Sequence, residues 1–189
     1  MLPMKAQTRQ EYIQDLYRSA AKVVGTSGIF PETIITQHIL ESGFTPSKLA
    51  TLTNNFFGIK SSLDWKGKVI SMTTKEFING VMKTFTGTGK IYNNRQDALK
   101  DGVNVYTMFR VYPTKEDGFK GYVDLILKNP RYKKAGVLDA KTIPEQFAAL
   151  VRSGYATDPA YLTKLSKIYT SIKGFFFRPK TSLLSLFLS

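Results

Sequence analysis

Apolar residues recur at helical spacing in the first and last thirds of this chain and alternate, weakly, only in the middle. That order admits helices packed around one antiparallel excursion and argues against an alternating βαβ sheet. Thr8 and Glu11 have capping-box spacing, and Tyr12, Ile13, Leu16, Tyr17, Ala20, Ala21 and Val24 follow on one helical face. Gly25, Ser27 and Gly28 interrupt that helix, and Pro31 suits the first position of a second one reaching about Ser42. A short helix is expected around residues 47–52. "KVISMTTKEF" (68–77) reads as a strand entering a hairpin, and "VNVYTMFRVY" (103–112) is the second strand candidate, with turn-rich sequence between them. Helices return at "KEDGFKGYVDLILKN", whose apolar side holds Phe119, Tyr122, Val123, Leu125 and Ile126, and at "IPEQFAALVRSG", ending at Gly154. A last helix is expected from an Asp158-Pro159 start to about Ile172. The predicted class is therefore α+β and mainly helical.

The chain's 189 residues, 42% of them hydrophobic and 13% aromatic, suffice for one domain with a core. There is no cysteine, which excludes a disulfide scaffold and a thiolate zinc site, and the single histidine, His38, rules out a multi-histidine metal site. No metal and no cofactor are expected. The net charge of +13 favours polyanionic partners: nucleic acid, an anionic membrane face or an acidic wall polymer. No helix-turn-helix cue, zinc spacing or basic helix supports nucleic acid, which is set aside. The start, "MLPMKAQTRQEY", has no apolar run, so no signal peptide is read there, and no stretch is long enough for a transmembrane segment. The end, "GFFFRPKTSLLSLFLS", has two apolar clusters split by Arg178-Pro179-Lys180. They are expected to pack on the domain or fray, or else to dock it to a partner in a larger assembly, another copy or a membrane surface.

"ILESG" (39–43) carries the first chemical cue. Glu41 falls seven residues after Ile34, on a helix stripe otherwise apolar, in the last turn where the dipole presents negative charge. Partial burial and the dipole both disfavour the carboxylate, so its pKa should rise. A protonated carboxylic acid is what protonation of a glycosidic oxygen requires. A surface glutamate at a frayed helix end would look the same in sequence.

The following motifs weigh on that choice. After "ILESG" come "NNFFGIK" (54–60), Trp65-Lys66-Gly67, "TTKEF" (73–77), "FRVY" (109–112), "NPRY" (129–132) and "GYATDPAY" (154–161). Their order resembles glycoside hydrolase family 73, the peptidoglycan-cleaving N-acetylglucosaminidases found among flagellar wall hydrolases, autolysins and phage lysins. The resemblance runs over about residues 9–173. It implies a lysozyme-like fold with a helical lobe and a small β-hairpin lobe flanking a glycan groove. It also implies cleavage of the β-1,4 bond between GlcNAc and MurNAc in peptidoglycan glycan strands. By resemblance, Glu41 is the general acid, Glu76 the second carboxylate on the hairpin, and Tyr155 a tyrosine required for activity. Phe44, Asn55, Phe56, Phe57, Trp65, Tyr132 and Tyr161 are the substrate-binding candidates, Tyr132 being groove-lining or structural.

Two departures stand out. Phe44 follows Gly43 where many members have tryptophan, which removes an indole donor. The segment from Glu76 to Phe109 is also longer than the family's, so a basic insertion carrying Lys83, Lys90, Arg95 and Lys100 is placed near 80–105. The expected organisation is one domain over 1–174, with a hairpin lobe at about 64–112, and an apolar tail at 175–189. The expected activity is an endo-β-N-acetylglucosaminidase acting on the bacterial cell wall. It would be a phage lysin freed through a holin, a virion-borne enzyme, or one exported by a non-classical route. A lytic transglycosylase or muramidase on the same fold, or an inactive wall-binding protein, is the alternative.

Overall fold

A computed structural model describes residues 8–156 and 158–176. The sequence readings at residues 1–7 and 177–189 fall outside the described residues. In chain order the elements are α1 (Arg9–Val24), α2 (Pro31–Ser42), α3 (Lys48–Thr53), β1 (Val69–Ser71), β2 (Thr74–Ile78), β3 (Val81–Phe85), β4 (Ile91–Tyr92), α4 (Arg95–Lys100), a 3-10 turn (Val105–Thr107), β5 (Met108–Arg110), α5 (Lys115–Lys128), α6 (Pro130–Lys134), α7 (Ile143–Arg152) and α8 (Tyr161–Phe176). They form two compact units, Met1–Phe44 with Asn129–Ser189, and Thr45–Lys128.

The first unit is helical. At the start of α1, Thr8 and Glu11 close the expected capping box, with Thr8 N donating to Glu11 Oε2 at 2.8 Å. α2 is its centre: every residue from Glu32 to Ile39 is buried. A helix enclosed on all sides shows little amphipathic stripe, so Ile34 marks no special face. Only the last turn emerges, and Glu41 is exposed there. The start of α2 has no side-chain cap on Phe30. Instead the Phe30 N–H donates to Gln146 Oε1 of α7 at 3.0 Å, while Gln146 Nε2 donates to the Gly28 and Val137 carbonyls at 2.8 and 2.9 Å. A fully buried amide with all its capacity paired costs little and fixes the loop before α2. α8 begins at Tyr161, after a turn in which Ala160 N donates to Asp158 Oδ1 at 2.8 Å, and runs to Phe176. It passes the expected end at Ile172 because Phe176 is buried, its ring 5.2 Å from Tyr17.

The second unit holds all the strands. β1 is central in a three-stranded antiparallel sheet ordered β4-β1-β5. β2 and β3 form a separate hairpin, with Glu76 opposite Lys83 and Phe77 opposite Met82. The single strand read over 68–77 is therefore two. The chain changes partner at Met72 and Thr73: Met72 N donates to the Thr107 carbonyl at 2.9 Å, and Gly87 N donates to Thr73 Oγ1 at 3.0 Å. Gly87 packs its backbone against Met72 at a distance no side chain would allow. The β2–β3 turn is Asn79-Gly80 with φ of 51° and 80°, the backbone of a type I′ turn.

The second strand candidate is also divided. Asn104 Oδ1 accepts from Tyr106 N at 2.9 Å and starts the 3-10 turn, so only Met108–Arg110 pairs with β1. Ala98 of α4 and Val103 join Val69 and Met108 in a small core, with Trp65 and Tyr92 packed against it. On α5, Phe119, Tyr122, Val123 and Ile126 are buried as read, whereas Leu125 is 37% exposed and lies off the packed face. No helix among the described residues is long and apolar enough to cross a membrane.

α5 comes so close to the preceding loop that Gly118 admits no side chain: a Cβ there would collide with the Asn54 carbonyl oxygen. We expect Gly118→Ala to destabilise the chain by about 3 kcal/mol, read as a lower denaturant midpoint with unchanged slope.

Candidate active site

The helical unit opens a cleft of about 450 Å³ where α2 ends and α8 begins, lined by Leu40, Glu41, Tyr155, Ala156, Tyr161 and Lys164, with Asp158 at its edge. Gly43, at φ 73°, ends α2 and returns its N–H to the Ile39 carbonyl at 2.8 Å. Ser42 Oγ donates to the His38 carbonyl at 2.8 Å, and His38, fully buried, shares a 2.8 Å hydrogen bond between Nε2 and Tyr12 Oη. The turn that carries Glu41 is thus anchored on both sides of it.

The Glu41 carboxylate accepts no hydrogen bond and forms no ion pair among the described residues. Desolvation pushes its pKa up, against a smaller opposing pull from Lys164. The Lys164 ammonium is engaged elsewhere, 2.6 Å from Asp158 Oδ2. Glu41 therefore retains its proton to higher pH than an ordinary glutamate.

Tyr155 stands beside it, half-buried, its ring centroid 6.3 Å from Tyr132 and 6.0 Å from Tyr161. Its hydroxyl makes no hydrogen bond among the described residues, and burial, with Tyr161 and Glu41 adding to it, raises its pKa strongly. It is a neutral donor with no assigned acceptor. Tyr161 Oη accepts from Gln37 Nε2 at 3.2 Å, and its pKa is pushed up to about 12 by burial. Tyr132 is fully buried, its hydroxyl held by Arg131. It backs Tyr155, the structural of the two roles read for it, and is not among the cleft residues. Phe44 lies under the Arg9 guanidinium, 4.7 Å from the ring centroid, and is not among the cleft residues.

The other candidates belong to the second unit. Glu76 projects from β2 with Oε1 2.7 Å from Lys60 Nζ and 2.8 Å from Thr74 Oγ1. These bonds, that of Lys60 above all, hold its pKa below the usual carboxylate range. Lys60 also donates to the Tyr106 carbonyl and lies 3.9 Å from the centre of the Phe109 ring. The two carboxyls are thus driven in opposite directions, Glu41 toward its protonated form and Glu76 toward its ionised form.

Asn55 is 1% exposed and fully used internally: Nδ2 donates to the Ile59 and Arg110 carbonyls at 2.9 Å each, and Oδ1 accepts from Ile59 N at 2.8 Å. It shapes the aromatic loop and has no group left for a ligand, which corrects its expected contact role. Phe56 and Phe57 are half-buried against α5, their centroids 5.1 and 5.6 Å from Phe119. Trp65 is half-buried too, Nε1 donating to the Lys68 carbonyl at 2.9 Å.

Three polar side chains beside the candidates escaped the sequence reading: Lys60, Asp158 as the partner of Lys164, and Lys164 itself. Lysines look solvated in sequence, and only the tertiary neighbours distinguish these two.

The chain matches the glucosaminidase family, described as mannosyl-glycoprotein endo-beta-N-acetylglucosaminidase, over residues 17–174. It is 32% identical over 151 residues to the peptidoglycan hydrolase FlgJ of Salmonella typhimurium, covering 78% of this chain and 41% of that protein. It is 31% identical over 160 residues to the exo-glucosaminidase LytG of Bacillus subtilis, covering 85% and 50%. The chain thus spans half or less of these relatives' lengths. Among solved structures, the C-terminally truncated glycoside hydrolase domain of Salmonella typhimurium FlgJ superposes with a TM-score of 0.64 at 30% identity, over 88% of this chain and 99% of that one.

Because the ammonium of Lys60 favours the ionised form of Glu76, Lys60→Met should raise the Glu76 pKa. Carboxyl chemical shifts followed against pH would show that midpoint moving upward, and an unmoved midpoint would show that Lys60 does not set it.

Proposed function

This chain belongs to the glucosaminidase family, glycoside hydrolase family 73, and on that premise we propose that it hydrolyses the β-1,4 bond between GlcNAc and MurNAc in peptidoglycan. The observation that carries the proposal is the Glu41 cleft: an unpaired carboxyl with a raised pKa beside a tyrosine hydroxyl that has no internal partner. Glu41 donates its proton to the glycosidic oxygen as the bond breaks. Glu76, kept ionised by Lys60 and Thr74, takes the proton of the attacking water or balances the oxocarbenium-like charge. Tyr155 Oη donates to a sugar oxygen and orients the ring.

The basic surface supports the substrate class. MurNAc carries a lactyl carboxylate or a peptide, and a chain of net charge +13 attracts such a polymer over long range. That attraction is screened by salt, so wall binding should weaken as ionic strength rises.

Reducing-end analysis of digested peptidoglycan tests the proposal. GlcNAc at the new reducing ends is expected. MurNAc ends would make the chain a muramidase, and anhydro-muramyl ends a lytic transglycosylase. Glu41→Gln should fold normally and lose at least about 100-fold in turnover, the scale of a lost general acid. Tyr155→Phe, which keeps the ring packing, should slow turnover less. Wild-type turnover in Glu41→Gln would remove the mechanism.

A further inference from the structure

A second cleft lies wholly within the Thr45–Lys128 unit and holds about 310 Å³. One wall is Leu63, Trp65 and Lys66, and the other is the face of α4 bearing Arg95, Gln96 and Lys100. The α4 wall comes from the 80–105 stretch read in sequence as a basic insertion. No residue of this cleft takes part in the acid and base roles assigned above.

Its chemistry is specific. Three cations line it against one carboxylate, Asp97, which is already engaged by Asn94 Nδ2 at 2.9 Å and by Lys100 at 3.9 Å. Arg95 is held in place: Nη1 donates to the Ser61 carbonyl and Oγ at 3.0 and 3.1 Å. Its Nε is buried without a partner, and its Nη2 makes no hydrogen bond among the described residues. An arginine fixed through Nη1, with its Nε sealed from solvent, offers Nη2 at little entropic cost as a charged donor to an oxyanion. A small inorganic anion would need nothing more. The cleft also offers apolar surface, since Leu63 is 84% exposed at its rim and the Trp65 ring, backed by the Arg110 guanidinium at 4.7 Å, is half-buried. Exposed leucine and indole surface suit the C–H face of a pyranose, and the Gln96 amide can both donate to and accept from ring hydroxyls.

We propose that this cleft binds a saccharide bearing an oxyanion, carboxylate or phosphate, and gives the unit a hold on acidic glycan that is separate from the Glu41 cleft. The inference rests on the wall reading only for its choice of probes.

The test is equilibrium binding of the full chain carrying Glu41→Gln, so that no polymer is cut. Two probes are used: insoluble peptidoglycan stripped of phosphate polymers, and soluble poly(N-acetylglucosamine 1-phosphate). Adding Lys66→Glu and Lys100→Glu together should weaken binding to at least one probe by about tenfold, the scale of losing a charge-assisted contact. Loss on stripped peptidoglycan identifies the carboxylate, and loss on the phosphate chain alone identifies the phosphate. Leu63→Ala, which changes no charge and removes an exposed side chain, should also weaken the affected probe. In the Glu41 background, both sets should leave turnover of a short soluble GlcNAc–MurNAc oligomer unchanged. Undiminished binding to both probes in the charge-reversed chain would overturn the proposal. So would an equal loss on reversing Lys133 and Lys141 of the other unit with no effect of Leu63→Ala, because bulk charge would then explain everything. If the wild-type chain cleaved no peptidoglycan, the hydrolase reading would fall while these binding results stood.

Discussion

The enclosure of α2 is the constraint on which the helical unit depends. A helix buried from Glu32 to Ile39 cannot rotate or slide without exposing isoleucines or stranding polar groups. Several of its buried polar residues are paired: Tyr12 meets His38, Tyr161 meets Gln37, and Thr36 Oγ1 returns to the Glu32 carbonyl at 2.7 Å, whereas the Thr33 hydroxyl is buried without a partner. The helix stops being buried at the turn where Glu41 appears. A rigid, dry shaft therefore holds an acid at its tip. The cleft there is deep enough to desolvate the carboxyl and open enough to admit a ligand. Precision at the reacting atom comes from packing several residues away from it.

The second unit solves a different problem with weaker means. Its strands are short, its sheet has three members, and its hairpin stands apart from that sheet. Asn55, Asn94 and Asn104 hold its loops by side-chain bonds to backbone, which substitutes for the long ladders it lacks. Lys60 gathers Glu76, Thr74, the Tyr106 carbonyl and the Phe109 ring around one ammonium. One charge thereby links the hairpin, the 3-10 turn and the edge of the sheet.

Much of the helical unit was legible in the chain. Thr8 with Glu11, Pro31 and Gly43 are local signals, and each bounds an element as local physics says it should. The middle third was less legible because its elements are bounded by contacts distant in sequence. Nothing near Met72 announces that Thr107 will take its N–H, or that Gly87 will press against it. The Asn79-Gly80 pair is a strong hairpin signal that the turn-rich surroundings concealed. Motif order named Glu41, Glu76 and Tyr155 as candidates, but the exposure of Glu41 could not be read, since α2 has no free face from which to read it. Asn55 shows the opposite failure: a polar residue in an aromatic loop reads as ligand-facing until its three hydrogen bonds to backbone are seen.

The isolated β2–β3 ribbon has a consequence of its own. Two strands alone are marginal in water, and this pair leaves Phe77 71% and Met82 59% exposed on one face. Its inward grip is the ion pair that Glu76 makes with Lys60, a group outside the ribbon. Neutralising that glutamate would therefore remove the carboxylate proposed as the base and slacken the arm holding it at once. Both effects follow one proton, so they share a single midpoint and acidification removes them together.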